Sequence, residues 1–257
     1  AIIVVVIPFA TVALTSFTVN MGKPLLSFEN GKLITDNFTL KFWERIATRK
    51  AILSSAKNSL VFAVLAATIG ILISCVMSYL LQRTNVRGKS IPDFLITVGS
   101  GTPSVVIALA LIMTMSGRFG INIYNTMWIM IIAYLIKYLL MGMRTVVSAM
   151  SQIHPSLEEA SLISGGSWLR SFKDVTIPLI APSVVAGWFL IFMPCFYELT
   201  MSTLLYSTDT KTLGYELFTY QTYHSQQTAA ALATAILVLV VLANWLLNKL
   251  TKGEFSI

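Results

Sequence analysis

Apolar residues along this chain gather into six long runs, roughly Ala1–Phe17, Ser59–Leu81, Phe94–Met115, Ile123–Met143, Ile180–Leu205 and Ala229–Leu247. Each approaches the ~20 residues that a helix needs to cross ~30 Å of hydrocarbon. Within lipid every backbone N–H and C=O needs an internal partner, which leaves helices or closed barrels. The runs show no two-residue alternation, so helices are the expected solution. Pro8, Pro103 and Pro194 fall inside runs and mark expected kinks. The pattern predicts an all-α integral membrane protein of about six transmembrane helices, with residues 1–257 forming a single transmembrane domain.

The polar segments between the runs refine this picture. The longest, Val19 to Lys57, carries a turn-like Glu29-Asn30-Gly31-Lys32 and then a mixed stretch, Lys41–Thr48, which reads as an amphipathic helix on the membrane surface. Basic residues in short loops set the orientation. Arg83, Arg87 and Lys89 follow the second run, Arg144, Arg170 and Lys173 lie between the fourth and fifth, and Lys249 and Lys252 lie in the tail. Those segments are expected on the cytoplasmic side. The Val19–Lys57 loop is basic too (Lys23, Lys32, Lys41, Arg45, Arg49, Lys50, Lys57), but six spans with a cytoplasmic tail put it outside.

Composition agrees. Hydrophobic residues make up 56% of the chain and charged residues 11%, less than half the ~25% charged residues of a soluble domain. The net charge of +7 is spread over connecting segments, with no Lys/Arg-rich run or aromatic-interleaved patch, so it argues for anionic lipid and against nucleic acid. Cys75 and Cys195 both lie in apolar runs and read as packing residues, without a disulfide or metal motif. The chain opens at Ala1 inside an apolar run with no basic n-region or small-residue cleavage site, so a longer parent chain is expected rather than a signal peptide.

The most informative stretch is 151–178, SQIHPSLEEASLISGGSWLRSFKDVTIP. Ser156 and Glu159 have the spacing of a capping box that would start a short helix. Gly165-Gly166 would end it in the left-handed conformation that glycine adopts freely. Ser167 would cap a second short helix to about Lys173, and an extended Thr176-Ile177-Pro178 would return to the membrane. Leu157, Ala160, Ile163, Trp168 and Phe172 would then be exposed and costly in water without a partner.

Glu159-Ala160-Ser161, three residues, Gly165, nine residues and Val175-x-Ile177-Pro178 resemble the EAA loop of binding-protein-dependent ABC importer permeases. The family pattern E-A-A-x3-G-x9-I-x-L-P is matched in spacing throughout. Ser161 replaces the second Ala, Val175 an Ile, and Ile177 a Leu. The resemblance implies a type I importer permease fold in the bacterial inner membrane, with 151–178 as a cytoplasmic coupling loop. Glu158, Glu159, Ala160, Ser161, Gly165 and Gly166 would be its ATPase-coupling residues. It implies as partners an ABC ATPase dimer that holds ATP and Mg, a periplasmic or lipoprotein solute-binding protein, and a second permease half, identical, related or fused. The permease would bind no cofactor itself.

Two polar groups fall within the apolar runs, where ionisable residues are expensive. Lys137 is expected to snorkel toward the cytoplasmic side. Glu198, beside Tyr197 and about 18 residues along the fifth run, is expected near the outer boundary as part of the pathway or gate, or as an interfacial anchor. The Phe196–Tyr206 stretch resembles the ferric iron branch, with thiamine, polyamine and phosphonate branches as alternatives. An enzyme is not expected: His154 and His224 fall in connections rather than facing a serine between spans, and neither H-E-x-x-H nor a Walker A sequence occurs. A non-transporting membrane scaffold is the alternative of a different class.

Overall fold

The computed structural model describes residues 2–23, 25, 27–29 and 32–250. They fall into two compact units, one made of residues up to Ser59 with Tyr197–Trp245, the other of Leu60–Phe196 with residues from Leu246 onward. Among the described residues the fold is helical, with one two-stranded hairpin.

In the first unit, α1 (Ile2–Thr15) is an apolar helix of 14 residues. Strands β1 (Ser27–Glu29) and β2 (Lys32–Ile34) pair antiparallel with Glu29 opposite Lys32; the expected turn residues Asn30 and Gly31 lie outside the described residues. Helix α2 (Lys41–Thr48) has the expected bounds and buries Phe42. The polar segment before it is pinned by Asn37, whose Oδ1 accepts from Asn20 N at 2.7 Å and whose Nδ2 donates to the carbonyls of Asn20 and Lys23.

Helix α3 (Lys50–Arg83) is continuous for 34 residues, about 51 Å at 1.5 Å per residue. Its opening Asn58 and Ser59 hold the segment that joins α10 (Thr200–Leu205) to α11 (Leu213–Tyr223). Asn58 Nδ2 donates to the Asp209 and Lys211 carbonyls, and Ser59 Oγ accepts from Leu213 N at 2.8 Å. Gln226–Leu250 forms α12.

The second unit is organised around α6 (Met127–Gln152), which buries Ile129, Met130, Ile131, Tyr134, Met143, Val146 and Met150. It packs against α9 (Ile177–Phe196) through two glycines. A Cβ on Gly142 would stand 2.5 Å from Ile191 Cδ1 and 3.3 Å from the Gly187 carbonyl, and one on Gly187 would stand 2.9 Å from Ile71 Cδ1. Lipid tails are as apolar as side chains, so such close backbone approach is what joins membrane helices. Gly142→Ala is therefore expected to cost about 1–3 kcal/mol by overpacking. Adding Ile191→Val, which removes the colliding methyl, should recover part of that loss in thermal unfolding of the detergent-solubilised protein. A further loss instead would show that this contact is not responsible.

Two of the expected runs, the third and the fifth, are broken in the structure. Among the described residues four helices are long and apolar enough to cross a membrane, five if a bent pair counts as one. That pair is the third run, which splits into α4 (Ser90–Gly101) and α5 (Ser104–Met115), bent by 111°. Pro103 supplies no N–H for the α4 carbonyls and forces Thr102 into extended backbone, φ −71° and ψ 135°. The fifth run also divides: α9 stops at Phe196, just after Pro194, and α10 begins at Thr200. At its other end that span is longer than expected, because Phe172–Thr176 is a π-helical turn continuous with α9. Thr176-Ile177-Pro178 is thus helical and not extended. Pro178 lies just after the π-helical turn, a local widening of the kind that accommodates a proline's missing N–H within a continuous membrane helix.

Candidate functional site

The loop expected to carry function forms α7 (Ser156–Ile163) and α8 (Trp168–Ser171), the latter running through the π-turn into α9. The expected capping box does not form. Pro155 occupies the N-cap position without a side-chain hydrogen bond, and Ser156 Oγ instead lies 2.8 Å from His154 Nδ1. Proline at the helix start supplies the fixed φ without needing a cap, which leaves the Ser156 hydroxyl to the histidine.

The expected turn is present. Gly165 has φ +85°, donates to the Leu162 carbonyl, and is followed by Gly166 donating to the Ser161 carbonyl at 3.0 Å. The two glycines serve different ends. Gly165 needs the left-handed backbone, with open space where a Cβ would be; Gly166 needs room, since a Cβ there would stand 2.8 Å from the Ser161 carbonyl oxygen. Ser167 Oγ accepts from Arg170 N at 3.3 Å, as expected of a cap.

What fixes the loop is Glu158. Its Oε1 accepts from Arg83 Nε at 3.0 Å and from Thr176 Oγ1 at 2.9 Å, and its carbonyl accepts from Ser171 Oγ at 3.3 Å. Arg83 also donates through Nη2 to the Ile153 carbonyl at 2.8 Å. One carboxylate and one guanidinium therefore join the ends of α3 and α6, the start of α7 and the first turns of the span ending in α9. Arg83 and Glu158 keep only 9% and 18% of their side-chain surface, so the pair is strong as well as specific. Phe172, expected to be exposed, is half-buried and packs edge-on against Tyr79 with ring centroids 5.4 Å apart.

On the outer side of α7 the residues are free of this packing. Glu159 and Ala160 are exposed, Leu157 and Leu162 nearly half so, and Ile163 is 88% exposed. The Trp168 side chain lies outside the described residues. A fixed frame that presents Glu159, Ala160 and Ile163 outward is what a docking helix requires.

A family profile described as binding-protein-dependent transport system inner membrane component matches residues 83–253, more than half of the chain. The chain belongs to that family. It is accordingly a multi-pass ABC importer permease. It is similar to Fe(3+)-transport system permease protein FbpB 2 of Haemophilus influenzae, 32% identical over 140 residues. That match covers 54% of this chain and 27% of the relative, so the chain spans about a quarter of that protein's length. It is also similar to spermidine/putrescine transport system permease protein PotC of Escherichia coli, 26% identical over 84% of this chain and 83% of the relative. A third relative, trehalose/maltose transport system permease protein MalG of Thermococcus litoralis, is 23% identical over 99% of this chain and 92% of its own. The fold is shared with a chain in the crystal structure of a bacterial ABC transporter involved in the import of alginate. Its TM-score is 0.73 at 13% identity, over 99% of this chain and 92% of that one.

The remaining candidates of this permease fall elsewhere. Glu198 does not lie within a continuous span, and its expected depth, counted along one, does not apply. It sits in the break before α10, buried, with Oε1 accepting from Met201 N at 2.8 Å. The carboxylate thereby takes one of the orphan donors at a helix start. Its backbone carbonyl faces Gly214, where any Cβ would overlap it. Tyr197 beside it is exposed. Because a glutamine retains the accepting oxygen, Glu198→Gln is expected to leave stability and uptake close to the parent, whereas Glu198→Ala should lower stability by about 1 kcal/mol. Thermal unfolding of both variants checks this; a Gln variant as unstable as Ala would show that the charge, not the cap, matters.

Sequence reasoning missed Arg83, read only as an orientation signal, together with Thr176 and Ser171. A basic residue at the end of a long apolar helix, with a paired Glu-Glu downstream, was the available clue. Lys137 was misplaced. It does not snorkel: Nζ donates to the carbonyls of Ser100 and Thr102 at 3.0 and 2.8 Å, across the break between α4 and α5.

Proposed function

We propose that this permease forms half of the translocation pathway of an ATP-driven importer in the bacterial inner membrane, with α7 docking on a separate ATPase. The observation that carries this reading is the Glu158–Arg83 anchor beneath an exposed Glu159-Ala160 face, at the spacing of the EAA loop. A rigidly held loop transmits displacement, because packed elements switch between discrete arrangements rather than deforming. The partners follow: an ATPase dimer holding ATP and Mg, a solute-binding protein outside, and a second permease half.

Ferric iron is the solute we favour, supported by the 32% identity with the Haemophilus influenzae iron permease. A polyamine is the second reading, supported by the longer match to the Escherichia coli spermidine/putrescine permease. The test is reconstitution with the ATPase and candidate binding proteins, measuring ATP hydrolysis and uptake for ferric iron, spermidine, thiamine, phosphonate and trehalose. Stimulation by iron-loaded binding protein alone supports iron. Stimulation by spermidine alone replaces it, and no stimulation by any solute removes the importer reading.

A further inference from the structure

Helix α4 is held to its unit in an unusual way for a membrane element. None of its described residues is buried, and Ile91, Phe94, Leu95 and Val98, spaced as one helical face, are all exposed. Its other face meets α6 through polar groups. Arg144 Nη2 lies 3.0 Å from Asp93 Oδ1, outside good hydrogen-bond alignment, and 3.1 Å from Thr97 Oγ1. Two turns back along α6, Lys137 Nζ takes the Ser100 and Thr102 carbonyls. Between them a Cβ on Gly99 would stand 3.1 Å from the Ile136 carbonyl, so the backbones nearly touch. The seam is therefore two cations, one carboxylate, one hydroxyl and two carbonyls.

The chemistry at the break explains the lysine. Pro103 leaves the last α4 carbonyls without their usual donors, and the helix dipole places partial negative charge there. In lipid such orphans are expensive. Membrane proteins with broken helices commonly place a free cation at such carbonyl ends. Here the cation is attached to α6.

We propose that Lys137 is a positioning residue for transport, a tethered cation that fixes the bend between α4 and α5 and makes α4 follow α6. Helix α6 ends at Gln152, and the carbonyl of the next residue, Ile153, is held by Arg83 beside Glu158. A displacement of the coupling loop thus reaches α6 at one end and passes to α4 through Lys137 and Arg144. The polar seam and the close Gly99–Ile136 approach together link α4 to α6. The proposal rests on the importer reading.

The test uses the assembled importer in proteoliposomes, with Cys75 and Cys195 replaced by Ala and a reporter at Val98→Cys. Maleimide labelling is compared without nucleotide and after trapping with ATP and vanadate. The parent is expected to label at rates differing by about fivefold or more between the two states, the size of a modest coupling energy. Lys137→Met should erase that difference and lower uptake per ATP, with the ATPase still copurifying; Lys137→Arg, which keeps the charge and donors, should restore both. A Met variant that keeps the difference, an Arg variant that fails as Met does, or a parent with no difference overturns the proposal. If the Met variant does not assemble, Lys137→Gln takes its place, with the same expected loss and the same contrary result. Failure of the ATPase to copurify with the parent would count against the importer reading, whereas these labelling comparisons read the seam itself.

Discussion

Gly165→Val should leave the permease inserted and bound to its ATPase while uptake per ATP falls about tenfold or more. At φ +85° an L side chain costs about 1–2 kcal/mol, and a β-branched one resists the turn further. No atom lies within 4 Å of the added Cβ, so the loss cannot be attributed to a collision. The chain relieves the strain by leaving the left-handed region, which breaks the paired Gly165–Leu162 and Gly166–Ser161 hydrogen bonds and redirects α8. Because α8 continues into the π-turn and α9 without interruption, that misdirection is passed to a membrane span. Gly165→Asn should lose much less, since asparagine tolerates left-handed backbone. The measurement is uptake and ATP hydrolysis on the same proteoliposomes. Normal coupling in the Val variant would remove the turn from the mechanism.

The second large effect is expected at the Arg83–Glu158 pair. Removing one partner of a mostly buried ion pair strands the other charge, at a cost of about 3–5 kcal/mol. Glu158→Ala should approach that range, because it also releases the Thr176 and Arg83 donors. Arg83→Met should be comparable, since it also frees the Ile153 carbonyl. The double variant should be less unstable than the sum of the two, as expected of groups that share one interaction. Thermal unfolding of the four proteins in detergent gives the cycle. Strict additivity would mean the two side chains act independently.

Much of this architecture is legible in the sequence, for reasons that differ by element. The spans α3 and α6 follow from uninterrupted apolar length, and α2 from a polar–apolar period with matching bounds. Gly165 is legible because left-handed backbone leaves few other choices. The failures occur where tertiary contacts decide. Pro103 marks a kink, but nothing local says that a lysine 34 residues later will satisfy the freed carbonyls and permit a 111° bend. Ser156 has the capping spacing, yet the proline before it and the histidine beside that proline claim its hydroxyl. Glu158 and Glu159 are indistinguishable by composition; only the approach of Arg83 and Thr176 makes the first an anchor and leaves the second exposed.

The central claim, that α7 is the surface through which this permease meets its ATPase, is tested most directly by cross-linking. Cysteines placed singly at Leu157, Ala160 and Ile163, three positions on one face of that helix, are treated with a short thiol cross-linker in the assembled importer. The account predicts an adduct with the ATPase at Ile163 and Ala160, with a yield that changes on ATP binding and falls when Gly165→Val is added. An ATPase that copurifies but forms no adduct at any of the three positions would contradict it.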